Sequence, residues 1–227
     1  MEPISAPLTE NLTRVDVASV VDGVLKGRYS ARYYLPTPID KATMRTSPWK
    51  VYAISGPIKD TISSEMVKAH KNHEPYEARY AYYPPILPPE YQVRKVNFGK
   101  FYYGQLGIDY DDFAARDASN TRNYEFFDAP VALIFTMHSE MRQGSWMDLG
   151  HFMQSITIAA RARGLESVTQ LSVPKFDEII RRHLPIPEEY LVAASISLGH
   201  PDLEKIAKYY KRPVKMELGD VLEVYGM

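Results

Sequence analysis

The chain has 227 residues, no cysteine, and 27 basic against 28 acidic side chains. Its length is enough to bury a proper core, and the missing cysteines exclude disulfides, thiolate zinc sites, iron–sulfur ligation and cysteine nucleophiles together. A formal charge of −1 argues against broad electrostatic capture of nucleic acid; Pro130–Met137, the densest apolar stretch, is far short of the ~20 residues a membrane helix needs; and the opening MEPISAPLTENLTR has no apolar signal region. The expectation is a soluble, cytoplasmic protein without nucleic-acid or membrane partners. Tyrosine, at 17 residues, is in excess.

In chain order, Asp16–Lys26 places valines and a leucine at helical spacing, with Gly27 as a stop. RYSARYYLPTPID comes next, basic at first and then punctuated by proline. Trp49–Ser55 (WKVYAIS) alternates like a strand and ends at Gly56-Pro57. Residues 58–73 read as a mostly polar helix. The segment 74–91 holds five prolines and five tyrosines, a proline-braced aromatic loop rather than a flexible linker. Tyr91–Leu106 and Tyr110–Ala118 read as helices.

In the second half, Val131–Met137 (VALIFTM) is a continuous apolar run that suits a strand buried on both faces. Ser145–Arg163 is the strongest helical signal: Trp146, Leu149, Phe152, Met153, Ile156, Ala159 and Ala160 fall on one stripe, Ser145 is placed as N-cap and Gly164 as stop. LESVTQL turns into a strand, Phe176–His183 is a short amphipathic helix, and Tyr190–Leu198 is another strand. No repeat is present. The fold class expected is α+β around one sheet, in one domain.

Common catalytic signatures (a phosphate loop, HExxH, GxSxG and GxGxxG) are missing. His70 and His73 share the face of a predicted helix, a weak basis for a metal site, and no metal is expected. Asp111 and Asp112 are adjacent and point apart, so they form no acid–base pair. The segment Arg28-Tyr29-Ser30-Ala31-Arg32 stands out. If extended, it puts two guanidiniums and a hydroxyl on one face, a donor set that matches a phosphate. A solvated loop whose arginines pair with nearby acids remains the plain alternative.

With the second half added, the chain resembles the nitroreductase family of FMN-dependent oxidoreductases. The resemblance rests on Arg28, Ser30 and Arg32 as R-x-S-x-R after a helix, on LPTPID, on Pro48–Gly56 (PWKVYAISG), on Asn123–Asp202, and on Arg212 in KRPV. It implies a nitroreductase-like fold, a central mixed or antiparallel sheet flanked by helices, made as an intertwined homodimer with FMN in grooves at the dimer interface. Arg28, Ser30 and Arg212 would then bind the FMN phosphate, with Tyr29 and Ala31 lining the same segment. Arg32 would approach the flavin ring, where positive charge stabilises the anionic reduced form, and the backbone of Val168, Thr169 and Gln170 would face the ring. The implied chemistry is ping-pong hydride transfer from NAD(P)H through FMN to an electron-poor acceptor such as a nitroaromatic or quinone. The flavin carries it, so no catalytic side chain is named. Residues 74–118 would form a variable insertion over the active site within a single domain spanning 1–227. Tyr80, Tyr82, Tyr83, Tyr102 and Tyr103 are then candidate acceptor contacts.

One departure stands out. Between Ile39 and Pro48 the family pattern carries a helix and a P-S-x-x-N-x-Q loop over the flavin, of which about 15 residues, three helical turns plus loop, are missing here. An error in the predicted coding sequence, a compensated deletion, or loss of FMN would each give this pattern. The last makes the alternative function a non-catalytic, dimeric binding or regulatory protein.

Overall fold

The computed structural model describes residues 19–20, 34–35, 50–76, 79–209, 211, 213 and 216–226. The helix expected over Asp16–Lys26, apart from helical Ser19 and Val20, lies outside these, as do the R-x-S-x-R segment and Arg212. The chain forms two compact units. The first takes in residues 1–81 and 121–202, the second 82–120 and 203–227.

The first unit is a four-stranded sheet with helices on both faces. Its strands are β1 (Lys50–Ser55), β2 (Val131–His138), β3 (Glu166–Gln170) and β4 (Tyr190–Gly199), in the order β1-β2-β4-β3. All three pairings are antiparallel, so the sheet among the described residues is the antiparallel version of the expected one. β2 is buried along all but its last residue, which is why its sequence is continuously apolar rather than alternating.

The strand period of two sorts β2 onto two cores. Ala132 and Ile134 pack with Val192, with Ile62 and Met66 of α1 (Gly56–Lys71), and with Ile179 and Ile180 of α5 (Asp177–His183). Val131, Leu133, Phe135 and Met137 pack with Leu149 and Met153 of α4 (Gln143–Arg161). Ile62, Met66, Ile134, Phe135 and Ile180 are each under 2 % exposed, and such burial stabilises by about 1.5–3 kcal/mol per side chain.

The ladder between β2 and β4 contains a β-bulge. Phe135 pairs with Ala194 but Thr136 pairs with Val192, so Ala193 is the extra residue. The bulge puts Ala193 and Ala194 into the same core, that of α4, while Val192 faces the other.

Two boundaries differ from expectation. Helix α4 begins at Gln143 with Arg142 as its N-cap, so Ser145 lies inside the first turn and caps nothing. Its end is as read: Gly164 adopts φ +74°, the left-handed conformation that favours glycine. The helix expected over Tyr110–Ala118 is instead α3 (Phe113–Tyr124). Its start is set by Asp112, whose carboxylate accepts the Ala115 N–H at 2.9 Å.

The second unit holds α2 (Pro89–Gln105), most of α3, α6 (Leu203–Tyr209) and the described part of the C-terminal tail. No residue of α2 is buried. Its packing centres on Tyr110. A Cβ on Gly99 would lie 2.5 Å from that ring, and the Arg116 guanidinium sits 4.3 Å from its centroid while donating to the Tyr110 carbonyl at 2.7 Å. Among the described residues, no helix is long and apolar enough to cross a membrane.

Candidate active site

Of the residues singled out from sequence, Val168, Thr169 and Gln170 are described, while Arg28, Tyr29, Ser30, Ala31, Arg32 and Arg212 lie outside the described residues. The three described residues form the end of β3, the last strand of the sheet on its side. Among the described residues it pairs with β4 alone. Among the described residues, one row of its peptide groups therefore has no strand partner.

The side chains around β3 hold that edge rigid. Gln170 is 3 % exposed. Its amide donates to the Asn123 carbonyl at 2.5 Å, and its side-chain oxygen accepts the Ser197 hydroxyl at 2.5 Å. Gln170 therefore contributes backbone, not side chain, to anything at the edge. Val168 is buried and Thr169 is exposed.

Ser197 also ties in the start of the chain. Its carbonyl accepts the Tyr34 hydroxyl at 3.3 Å, while Val168 is its register partner across the sheet. Tyr34 bridges to Pro201, and the Leu35 N–H donates to the His200 carbonyl at 2.9 Å. The structure thus brings Tyr34, two residues after Arg32 in sequence, to the end of β4 beside β3.

Just past β3, the Ser172 hydroxyl is buried without a hydrogen-bond partner, an arrangement that costs free energy unless something completes it. The β3 peptide groups that lack a strand partner among the described residues, and the Ser172 hydroxyl two residues further on, are donors and acceptors of the kind that the edge of a flavin ring pairs with. Ser172 escaped the sequence reading, since one serine after a strand carries no pattern.

The expected tyrosines divide. The Tyr80 hydroxyl donates to the Ala193 carbonyl at 2.6 Å and its ring lies 4.9 Å from that of Trp146, so it is a packing residue. Tyr103 donates to Asn120 at 3.1 Å, and Tyr102 stacks on Phe98 at 6.2 Å. Tyr82 and Tyr83 meet edge to face at 4.5 Å and stay half exposed. Burial, helped by Tyr83, pushes the Tyr82 phenol up from its ordinary value of 10.0. His73 lies beyond the end of α1 with φ 50°, so it shares no helix face with His70. Among the described residues no group of acids, histidines or cysteines is placed to hold a metal.

A further polar cluster was invisible in sequence. Asp177, 2 % exposed, lies 3.1 Å from the Nε of Arg79 and pairs with Nε of Arg181. Arg79 also reaches Glu188 at 2.8 Å, and this hydrogen bond holds the Glu188 carboxyl below its usual value of 4.5. Arg79, Ser139, Glu178 and Leu191 line an open cavity of about 370 Å³ beside the cluster. On the other face of α5, Glu65 of α1 accepts from Arg182 at 2.6 Å and pairs with His183 at 2.8 Å.

The described architecture is α+β, one antiparallel sheet between helices. The sequence profile of the nitroreductase family matches residues 25–200, and the chain belongs to that family. It is 31% identical over 212 residues to 4-nitrobenzoate reductase of Pseudomonas putida, covering 87% of this chain and 92% of that one. It is 30% identical over 197 residues to nitrobenzene nitroreductase of Ectopseudomonas oleovorans, covering 80% and 87%. The fold matches that of the FMN-dependent nitroreductase NfnB of Mycobacterium smegmatis, solved in complex with NADPH, with a TM-score of 0.85 at 24% identity over 93% of this chain and 100% of that one. The alignment with the P. putida enzyme is 212 positions long but takes in 87% of a 227-residue chain, so about 15 positions have no residue here.

Proposed function

We propose that the protein is an FMN-dependent nitroreductase that uses NAD(P)H to reduce nitroaromatic acceptors. The observation that carries the reading is family membership together with relatives about 30% identical over four-fifths or more of this chain, whose names specify nitroaromatic substrates. Bound FMN supplies the hydride chemistry between NAD(P)H and acceptor. The chain supplies the frame. Backbone at Val168, Thr169 and Gln170 holds the ring edge, with Ser172 as an added donor. Arg28, Ser30 and Arg212 bind the phosphate, with Tyr29 and Ala31 alongside, and Arg32 puts positive charge beside the ring. The docking of Tyr34 against Ser197 supports this assignment, because it sets the exit of the basic segment beside β3.

In this reading the chain is one nitroreductase-like domain, with residues 74–118 near the acceptor, and it works as a homodimer in the cytoplasm. Support for a second copy comes from apolar surface left open. Met147 on α4 is 66% exposed, beside half-buried Trp146, Phe152 and Ile156, an apolar surface that a second copy would cover.

The test is direct. The purified chain, supplied with FMN, is expected to bind it and to oxidise NADPH when 4-nitrobenzoate is added. No FMN binding overturns the reading. The alternative that the missing residues leave open is a non-catalytic dimer that has lost FMN. That alternative predicts no NADPH or NADH oxidation with any acceptor, even with FMN present.

A further inference from the structure

The bulge in β4 reverses the facing of the strand. Before it, Leu191 and Ala193 pack on the α4 side, and Val192 packs with α1 and α5. After it, Ala194 and Ile196 take the α4 side, and Leu198 packs with Ala160 of α4. Ser195 and Ser197 alternate with these and face the other way. Their register partners on β2, Ile134 and Ala132, belong to the core under α1 and α5. An unbulged β4 would turn both serines into the α4 core and Ile196 out of it, since a shift of one residue moves every side chain to the opposite face.

That facing is what ties β3 down. Ser197 donates its hydroxyl to the Gln170 side-chain oxygen, and the Gln170 amide donates to the Asn123 carbonyl, both at 2.5 Å. The bond needs Ser197 on the α1 and α5 side, because Gln170 shares that face with its register partner Ser195. The bulge that puts Ser197 there is held from outside the sheet. Asp177 of α5, 2 % exposed, accepts the Val192 N–H at 2.9 Å through Oδ1. Its Oδ2 pairs with Nε of Arg181 and lies 3.1 Å from Nε of Arg79. Arg181 also donates to the carbonyl of Tyr190, the first residue of β4. Tyr80 donates its hydroxyl to the carbonyl of Ala193, the extra residue, at 2.6 Å. All of these residues belong to the first unit.

We propose that Asp177 is a positioning residue for β3: by holding the bulge it fixes the facing of β4, and so presents Ser197 to Gln170. Val192 and Ser197 are five residues apart on one strand, roughly 16 Å at the usual rise. Asp177 therefore acts on β3 through the facing of the strand between them. That β3 lies against flavin rests on the nitroreductase reading; its control by Asp177 does not.

The experiment measures amide hydrogen exchange and FMN binding of the full chain. It compares wild type, Asp177→Asn, Tyr80→Phe, Ser197→Ala and the double variant Asp177→Asn/Ser197→Ala. Asparagine matches aspartate in shape, but it sets a neutral amide against two guanidiniums, so the hold on Val192 weakens. Asp177→Asn is expected to speed exchange over residues 166–170 about tenfold, the scale of one charge-assisted hydrogen bond, with residues 50–55 of β1 unchanged. Ser197→Ala does the same. The double variant exchanges no faster than either single one, although sites so far apart ordinarily add. Tyr80→Phe removes one hydroxyl and gives a smaller shift at the same amides; it decides the matter if Asp177→Asn does not fold. Equal acceleration in β1 and β3, unchanged exchange in β3, or additive effects in the double variant each overturn the proposal. A residue needed only for stability gives those results. FMN affinity is expected to fall in step with β3 exchange. If exchange responds and FMN affinity does not, or if wild type binds no FMN, the flavin reading fails and the positioning role of Asp177 is decided by exchange alone.

Discussion

Gly199 shows how one residue connects the sheet to the proposed flavin site. A Cβ there would lie 2.7 Å from the Tyr34 ring and 2.8 Å from Pro130. Both are closer than van der Waals contact permits, and neither neighbour is the loose end of a flexible chain. Gly199→Ala is therefore expected to displace Tyr34, destabilise the protein by about 1–3 kcal/mol as overpacking does, and weaken FMN binding. Denaturant titration and FMN titration of the same variant check both effects; full stability with unchanged FMN affinity rejects the link. Arg28→Ala tests the phosphate assignment separately. Losing a charge-assisted contact worth about 1.5–3 kcal/mol should weaken FMN binding tenfold or more, with no change in the denaturation midpoint of the FMN-free protein. Unchanged FMN affinity removes Arg28 from the phosphate site.

At the scale of elements, the helices on one face are joined by charge as well as by their apolar core. Glu65 on α1 is held below its ordinary carboxyl value of 4.5, first by its hydrogen bond to Arg182 on α5 and then by His183. A carboxylate whose pKa is lowered by folding stabilises the fold above its unfolded value. That contribution disappears as the pH drops through the folded value. Acidification below about pH 4.5 should therefore loosen the contact between α1 and α5. Glu65→Gln should flatten the acid limb of the stability profile by less than about 1 kcal/mol, because the group is one-third exposed. A variant with the same acid limb as wild type shows that the brace contributes nothing measurable. None of this was readable beforehand, since Glu65 and Arg182 are 117 residues apart and no local pattern joins them. The same holds for Arg79 and Asp177. By contrast β2 was legible because burial on both faces writes itself into every residue of VALIFTM. Helix α4 was legible through its apolar stripe, but its start was not, because Ser145 looks like a cap while the backbone begins to turn at Gln143. Val168–Gln170 could be placed on a strand from sequence. That the Gln170 side chain turns into the core depends on Asn123 and Ser197, which only the fold brings near.

At the scale of the whole molecule, near-neutral charge and missing cysteines fit a protein whose reactivity is borrowed from a bound cofactor, and association then decides function. On the proposed reading the FMN groove is shared between two copies, so dimer formation and FMN retention are thermodynamically linked. The factor by which FMN tightens the dimer equals the factor by which dimerisation tightens FMN. Met147 offers a clean test because it is 66% exposed and outside both cores. Met147→Glu changes the surface of α4 without opening a cavity, so the chain is expected to keep its fold by circular dichroism. Burying an unpaired carboxylate at an interface costs several kcal/mol, enough to shift a micromolar sample from dimer to monomer on size exclusion with light scattering. FMN affinity should drop in the same samples and recover as protein concentration is raised. A variant that stays dimeric places the interface elsewhere than this face of α4. A monomer that holds FMN as tightly as wild type would show a flavin groove complete within one chain.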